Sequence, residues 1–358
     1  MLLFKKNLFL FFVFFFSFNL IAQTYKKDSL NILFIGNSFT HMNDMPAIFN
    51  KLAISKYKVV HVEKNTLAGA SFRVHTSRID MYDKIKSRKW DYIVLQGYSR
   101  EFCHPREYID TASIPYINQI LDTIKKHQVC PNLLLYNTWA YKNGFSERED
   151  LNTYAKMQDS IICGYKYLSN LYSIPIVPVG TVWKAVRESY PDLNLYVEDE
   201  AHPNKLGSYL SACTFYAAIF NESPFGAITS TITKENAEIL QKKAAEVVLP
   251  NFLLYNLNKN TSSVKYIRTK NVKYIAECTS YYPLATKVTW DFGNGKSSSD
   301  SIVVYEYHKP GNYTIKLTVQ DVCGERVEYF KVVFEAPKKP KKPAKSKPVK
   351  DSLRKKKI

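Results

Sequence analysis

The chain has 358 residues, 46% of them hydrophobic and 14% aromatic, enough for a large core and for more than one domain. Its formal charge of +18 points to nucleic acid only until the charge is located. Residues 336–358 hold eleven Lys/Arg against one acid and Lys5 and Lys6 lie in the leader, which leaves +6 on the body, too mild for a nucleic-acid surface.

Lys5 and Lys6 precede residues 8–21, which are apolar apart from Ser17 and Asn19, and Ala22 offers a small residue before Gln23. The run is short and close to the start, so residues 1–22 are predicted to be a cleaved signal peptide, with an uncleaved anchor as the alternative. The mature protein is then exported to the periplasm, the cell surface or the medium.

Between residues 30 and 220, branched apolar runs alternate with helical patterns. Strands are predicted at 31–35, 57–63, 91–95, 132–136 and 174–179. The clearest helices are at 114–127 and 151–171, followed by 208–220 and 234–248. Such alternation predicts a parallel sheet covered on both faces, a three-layer α/β/α domain over 23–255. Right-handed crossovers place the loops after the strands along one edge, where function is to be sought.

Three polar residues stand where such an edge forms. Ser38, in Gly36-Asn37-Ser38-Phe39-Thr40, follows the first strand. A serine there can simply cap the next helix. Asp199 and His202 lie one helical turn apart, after the last strand and before the helix at 208–220. Asp199 can hold one imidazole nitrogen and leave the other for a hydroxyl, the arrangement of a serine nucleophile, its base and its orienting acid. Glu198 is a rival acid with a poorer spacing. Trp139 and Tyr141 follow the fourth strand and Tyr98 and Arg100 the third; as aromatic residues on the same edge, Trp139, Tyr141 and Tyr98 are candidates for stacking a sugar ring, local packing being the alternative.

With these residues, the stretch 30–220 resembles an SGNH (GDSL-like) hydrolase, whose fold is a flavodoxin-like α/β/α sandwich. Gly36-Asn37-Ser38 matches the nucleophile block, Asp199 and His202 the final D-x-x-H block. Gly69, in Leu67-Ala68-Gly69-Ala70-Ser71, matches the glycine that lends an oxyanion-hole N–H. The third block, usually G-x-N-D, reads Leu95-Gln96-Gly97-Tyr98-Ser99. The resemblance implies that Gln96 stands in for the asparagine, with Asn137 as a fallback. It further implies acyl transfer at an ester: Ser38 attacks, His202 takes its proton, and the amides of Ser38 and Gly69 with the Gln96 side chain hold the oxyanion. No metal motif or carboxylate cluster occurs, so no cofactor is expected. An acylated polysaccharide, with acetyl as the acyl group, is the expected substrate. The alternatives are a lipid-directed esterase or lysophospholipase, and a non-catalytic glycan-binding envelope protein.

Residues 256–264 are polar and read as a linker. From 265 to 335 the pattern turns to period two, with strands predicted at 274–278, 287–291, 302–307, 313–319 and 327–334, a β-sandwich. Trp290-Asp291-Phe292-Gly293-Asn294-Gly295 and Tyr307-His308-Lys309-Pro310-Gly311-Asn312-Tyr313 resemble a PKD-type immunoglobulin-like domain, with Asn294 where that family usually has Asp. Of the six cysteines, Cys163 and Cys213 are predicted to be buried thiols, and Cys278 and Cys323 are the candidate disulfide. The Lys/Pro-rich tail, 336–358, cannot build a core and is expected to be disordered; it is either a solvated arm or a means of adhering to an anionic envelope surface.

Overall fold

Five apolar runs in the first half of the chain become five strands that pair in parallel. The computed structural model describes residues 29–229, 232–257, 261–268, 274–281, 285–321 and 324–336. The strands are β1 (Leu30–Gly36), β2 (Val60–Thr66), β3 (Tyr92–Leu95), β4 (Asn132–Tyr136) and β5 (Ile176–Val177), in the order β2-β1-β3-β4-β5. This is the flavodoxin-like order. Connections leave β1 and β3 on opposite sides and open a crevice at their carboxyl ends.

Successive side chains of a strand point to opposite faces. In β1, Ile32 and Phe34 enter one core and Leu33 and Ile35 the other, which is why these four positions carry no polar residue. The helices are α1 (Ser38–His41), α2 (Met45–Ser55), α3 (Phe72–Thr76), α4 (Ile79–Lys86), α5 (Arg106–Ala112), α6 (Ile114–His127), α7 (Tyr154–Tyr172), α8 (Val179–Ser189), α9 (Lys205–Phe220) and α10 (Lys234–Val248). Side chains of α2, α8, α9 and α10 fill the first core, and those of α4, α6 and α7 fill the second. In α9, 13 of the 16 residues are buried, so it is a central helix with no solvent face.

Several boundaries move for local reasons. Strand β2 starts at Val60 rather than 57, because Tyr57 is exposed in left-handed backbone, φ 60°, in the turn after α2. Helix α7 starts at Tyr154, where Thr153 Oγ1 accepts the Lys156 N–H at 3.3 Å. Helix α9 starts at Lys205, because Asn204 Oδ1 accepts the N–H groups of Leu206 and Gly207 at 2.9 and 3.1 Å. Cys213 is buried in α9, but Cys163 is exposed, contrary to expectation. The buried stripe of α7 runs through Met157, Ile161, Tyr165 and Leu168, and Cys163 points away from it.

The chain divides into two units, Met1–Lys259 and Asn260–Ile358. The expected linker is shorter than 256–264. Tyr255 O accepts the Ile176 N–H at 2.9 Å, and Asn256 Nδ2 donates to Ser169 Oγ at 3.0 Å, so both belong to the α/β unit. Strand β6 (Thr261–Arg268) already lies in the second unit, with β7 (Tyr274–Tyr281), β8 (Ala285–Asp291), β9 (Ser297–Ser298), β10 (Ile302–Tyr307), β11 (Gly311–Asp321) and β12 (Gly324–Phe334). Two antiparallel sheets, β10-β7-β6 and β12-β11-β8-β9, enclose Trp290, Tyr307, Leu317 and Phe334, an immunoglobulin-like arrangement. Cys278 is a free, buried thiol in this core, where burial pushes it up to about 11. The expected bond to Cys323 is therefore not made; Cys323 itself lies outside the described residues, as do the predicted signal peptide and all of the basic tail beyond Ala336.

Candidate active site

The chain leaves β1 through Gly36 and Asn37 into the single turn of α1, which presents Ser38. Asn37 Oδ1 accepts the Phe39 N–H at 3.0 Å, and its Nδ2 donates to Ala70 O and Gly97 O, both at 3.2 Å. One buried side chain thus ties the Ser38 turn to the loops after β2 and β3. The Gly36 carbonyl accepts Leu67 N–H at 3.2 Å and His75 Nε2–H at 3.0 Å. A Cβ at Gly36 would lie 2.5 Å from Thr40 Oγ1 and 2.6 Å from Gln96 Oε1, so only glycine permits this approach.

Asp199 and His202 reach the same place from 160 residues downstream. His202 Nε2 lies 2.8 Å from Ser38 Oγ, and its Nδ1 lies 2.6 Å from Asp199 Oδ2. Asp199 Oδ1 accepts the N–H groups of Ala201 and His202 at 2.9 and 2.8 Å. Desolvation pushes this carboxyl up, but the two amides and the imidazole outweigh it and hold it below its ordinary value. The imidazole's partner is Asp199, not Glu198.

The loop carrying these two residues is braced from the segment after β4. Trp139 Nε1 donates to Ala201 O at 3.0 Å, and the Lys142 N–H donates to Glu200 O at 2.8 Å. Glu200 itself takes left-handed backbone, φ 58°. On the other flank, Asn43 Nδ2 donates to Pro203 O at 3.0 Å.

Three of the expected roles change. Trp139 is fully buried, sandwiched between Phe39 (centroids 4.5 Å, 9°) and Trp183 (4.0 Å, 8°), so no sugar can stack on it. It is a positioning residue, joined to Ser38 through Phe39 and to His202 through Ala201. Gln96 is also fully buried. Its Oε1 accepts the Asn37 N–H at 2.9 Å and the Thr40 hydroxyl at 2.8 Å, and its Nε2 donates to Gly97 O. Its oxygen is doubly occupied and its nitrogen already donates once, so from this fully buried position Gln96 clamps the Ser38 turn. Asn137, the fallback, is buried, with neither side-chain atom bonded. Tyr141 is half-buried, its hydroxyl 2.8 Å from Ser99 Oγ. Tyr98 faces a cleft, and Gly69 sits exposed in left-handed backbone, φ 67°.

Glu101 gave no signal in the sequence, where it is one acid among many. In the fold it is buried and accepts the Tyr98 N–H at 2.7 Å and the Phe72 N–H at 3.2 Å, joining the loops after β2 and β3. Burial raises its carboxyl to about 7, against the pull of those amides and the Ser113 hydroxyl.

A flavodoxin-like α/β domain with a Ser–His–Asp hydrogen-bond line at its switch point is thus followed by an immunoglobulin-like sandwich. The model of DUF4886, a domain of unknown function, matches residues 30–247, and that of the PKD domain matches 270–332. The chain belongs to the DUF4886 family and carries a PKD domain after it. No curated protein matches. Among solved structures, a DUF4886 family protein from Bacteroides uniformis is 24% identical with TM-score 0.54, over 64% of this chain and 96% of that one. A candidate SGNH hydrolase from Slackia heliotrinireducens is 22% identical over 52% and 97%, TM-score 0.42. An acetylxylan esterase from Geobacillus stearothermophilus is 14% identical over 53% and 95%, TM-score 0.39. The first of these shares the fold.

Proposed function

We propose that the chain is an exported serine esterase that removes small acyl groups, acetyl first among them, from a carbohydrate. The observation that carries this reading is the unbroken line from Ser38 Oγ through His202 to Asp199. His202 Nε2 takes the Ser38 proton as the oxygen attacks the ester carbonyl. Asp199 fixes the imidazole's orientation and stabilises it when protonated. The backbone N–H groups of Ser38 and Gly69 receive the oxyanion, a role whose loss typically costs about 3–4 kcal/mol per donor. The imidazolium protonates the leaving alcohol, and water, deprotonated by His202, then frees the acyl group.

A carbohydrate leaving group is supported by the cleft beside Tyr98, whose lining mixes aromatic rings and charged side chains with the hydroxyl residues Ser71, Thr111 and Ser113. The test is acetate release from a panel of acetylated glycans by the wild type and by Ser38→Ala. Release is expected to fall by about 10⁶-fold in the variant, together with loss of labelling by a fluorophosphonate probe. Equal release from both would remove Ser38 from the mechanism. Turnover of octanoyl over acetyl aryl esters would favour the lipid-directed alternative.

A further inference from the structure

A cleft of about 660 Å³ opens one residue beyond the two carbonyls that Asn37 binds. Ala70 leads into Ser71 and Gly97 into Tyr98, and both Ser71 and Tyr98 line it. The cleft therefore borders the two loops that Asn37 ties to the Ser38 turn, while Ser38, Gly69 and His202 stand outside its lining.

Its charged lining is unequal. Arg148 is committed to Asp150, Cys103 O and His104. Glu101 is occupied by two backbone amides. Arg73 and Arg100 remain, and among the described residues neither has a carboxylate within ion-pair distance. Both lie on rings: Arg100 is 3.8 Å from the Phe145 centroid, and Arg73 is 6.0 Å from that of Tyr116. Arg100 also donates to Tyr98 Oη at 3.2 Å. Arg100 sits close over its ring and Arg73 at the outer reach of one, and a guanidinium without a carboxylate partner offers the N–H fork that matches a carboxylate. Tyr98, Tyr108 and Tyr116 add flat faces and hydroxyls to the same lining, which suit a pyranose ring.

We propose that this cleft is the sugar subsite and that it takes an acidic sugar, whose carboxylate is received by Arg73 and Arg100 and whose ring lies on the tyrosines. The assignment rests on Ser38 being an esterase nucleophile, since it names the alcohol half of the ester. Glu147, exposed on the rim beside Arg100, offers an acceptor for a sugar hydroxyl.

The experiment compares kcat/KM of the full chain for acetylated oligogalacturonide and for acetylated xylo-oligosaccharide, a neutral analogue, in the wild type, Arg73→Gln and Arg100→Gln. The wild type is expected to prefer the acidic ester, and each variant to lose about ten-fold of that preference, the value of one charge-assisted hydrogen bond. Raising the ionic strength should erode the wild-type preference, which keeps the test decisive if a variant fails to fold. No acid preference, or a preference that survives both substitutions and salt, overturns the subsite. Preference for a lysophospholipid over either glycan overturns it too, and gives the arginines to a phosphate headgroup. Turnover without acid preference would sink the subsite alone, whereas no turnover of any ester, with no labelling of Ser38, would sink the esterase reading beneath it.

Discussion

At the scale of single residues, Gln96 departs furthest from its implied role. A block that supplies an oxyanion donor in the resembling family here supplies a clamp. The amide is read twice over, since a backbone N–H faces its oxygen and a backbone carbonyl faces its nitrogen, and a flipped amide would oppose like to like. Replacing Gln96 by Ala leaves the buried Asn37 N–H without its partner, at about 1–3 kcal/mol, while the Gly97 carbonyl keeps the Asn37 Nδ2 bond. The variant should unfold at lower denaturant and turn over acetyl esters more slowly, with kcat falling more than KM changes; urea titration and steady-state kinetics check this. Ser38, Asp199 and His202, which sequence reasoning grouped by residue type and spacing, are brought within hydrogen-bond distance by the fold. The clamp at Gln96 was not legible, because an amide side chain can brace a turn or donate to a ligand, and its neighbours in the fold reveal the bracing.

At the scale of elements, the two halves of the triad arrive on structures far apart in sequence and are held by a third. The stack Phe39–Trp139–Trp183 runs from the residue after Ser38, through the loop after β4, to helix α8. Phe39 also meets the His202 ring edge-on at 5.4 Å. Trp139→Leu removes both ring contacts and the bond to Ala201 O. The expected cost is about 3–5 kcal/mol, as for loss of a large buried aromatic, with a fall in kcat beyond what the unfolded fraction explains. Thermal denaturation with active-site titration by a fluorophosphonate separates these effects. An aromatic residue after a strand reads as a ligand platform in sequence, because burial is decided by α8 and α1, which no local pattern joins to it. Helices α6 and α10 were legible to the residue from apolar spacing; α9 lacked three residues at its start because its cap, Asn204, lies inside a polar turn.

At the scale of the whole molecule, two buried ionisable groups near the site make the stability of the fold depend on pH. His75 is neutral in the fold, lowered to about 4 from 6.5 by burial, then by the charge of Arg78. Its support is complete above 6.5 and is lost as the pH falls toward 4. Glu101 acts in the opposite direction. Its folded value of about 7 exceeds its ordinary 4.5, so its support is complete below 4.5 and is lost as the pH rises through 7, at about 3 kcal/mol in full. Glu101→Gln removes that alkaline loss. The melting temperature of the variant relative to wild type should rise between pH 5 and pH 8; a flat difference would show that Glu101 is charged at little cost. The two-unit plan was readable from the change of period near residue 265 and the parallel sheet from the strand–helix alternation before it, but the strand order was not, because local patterning does not say which strands become neighbours. The stack has one more consequence. Trp139 and Trp183 lie face to face at 4.0 Å, while Trp90 packs in the core on the other side of the sheet and Trp290 in the sandwich. Indoles this close couple their absorption transitions, so a near-ultraviolet circular dichroism couplet is expected from this pair, reporting without substrate or label whether the loop that braces Ser38 and His202 is packed on α8.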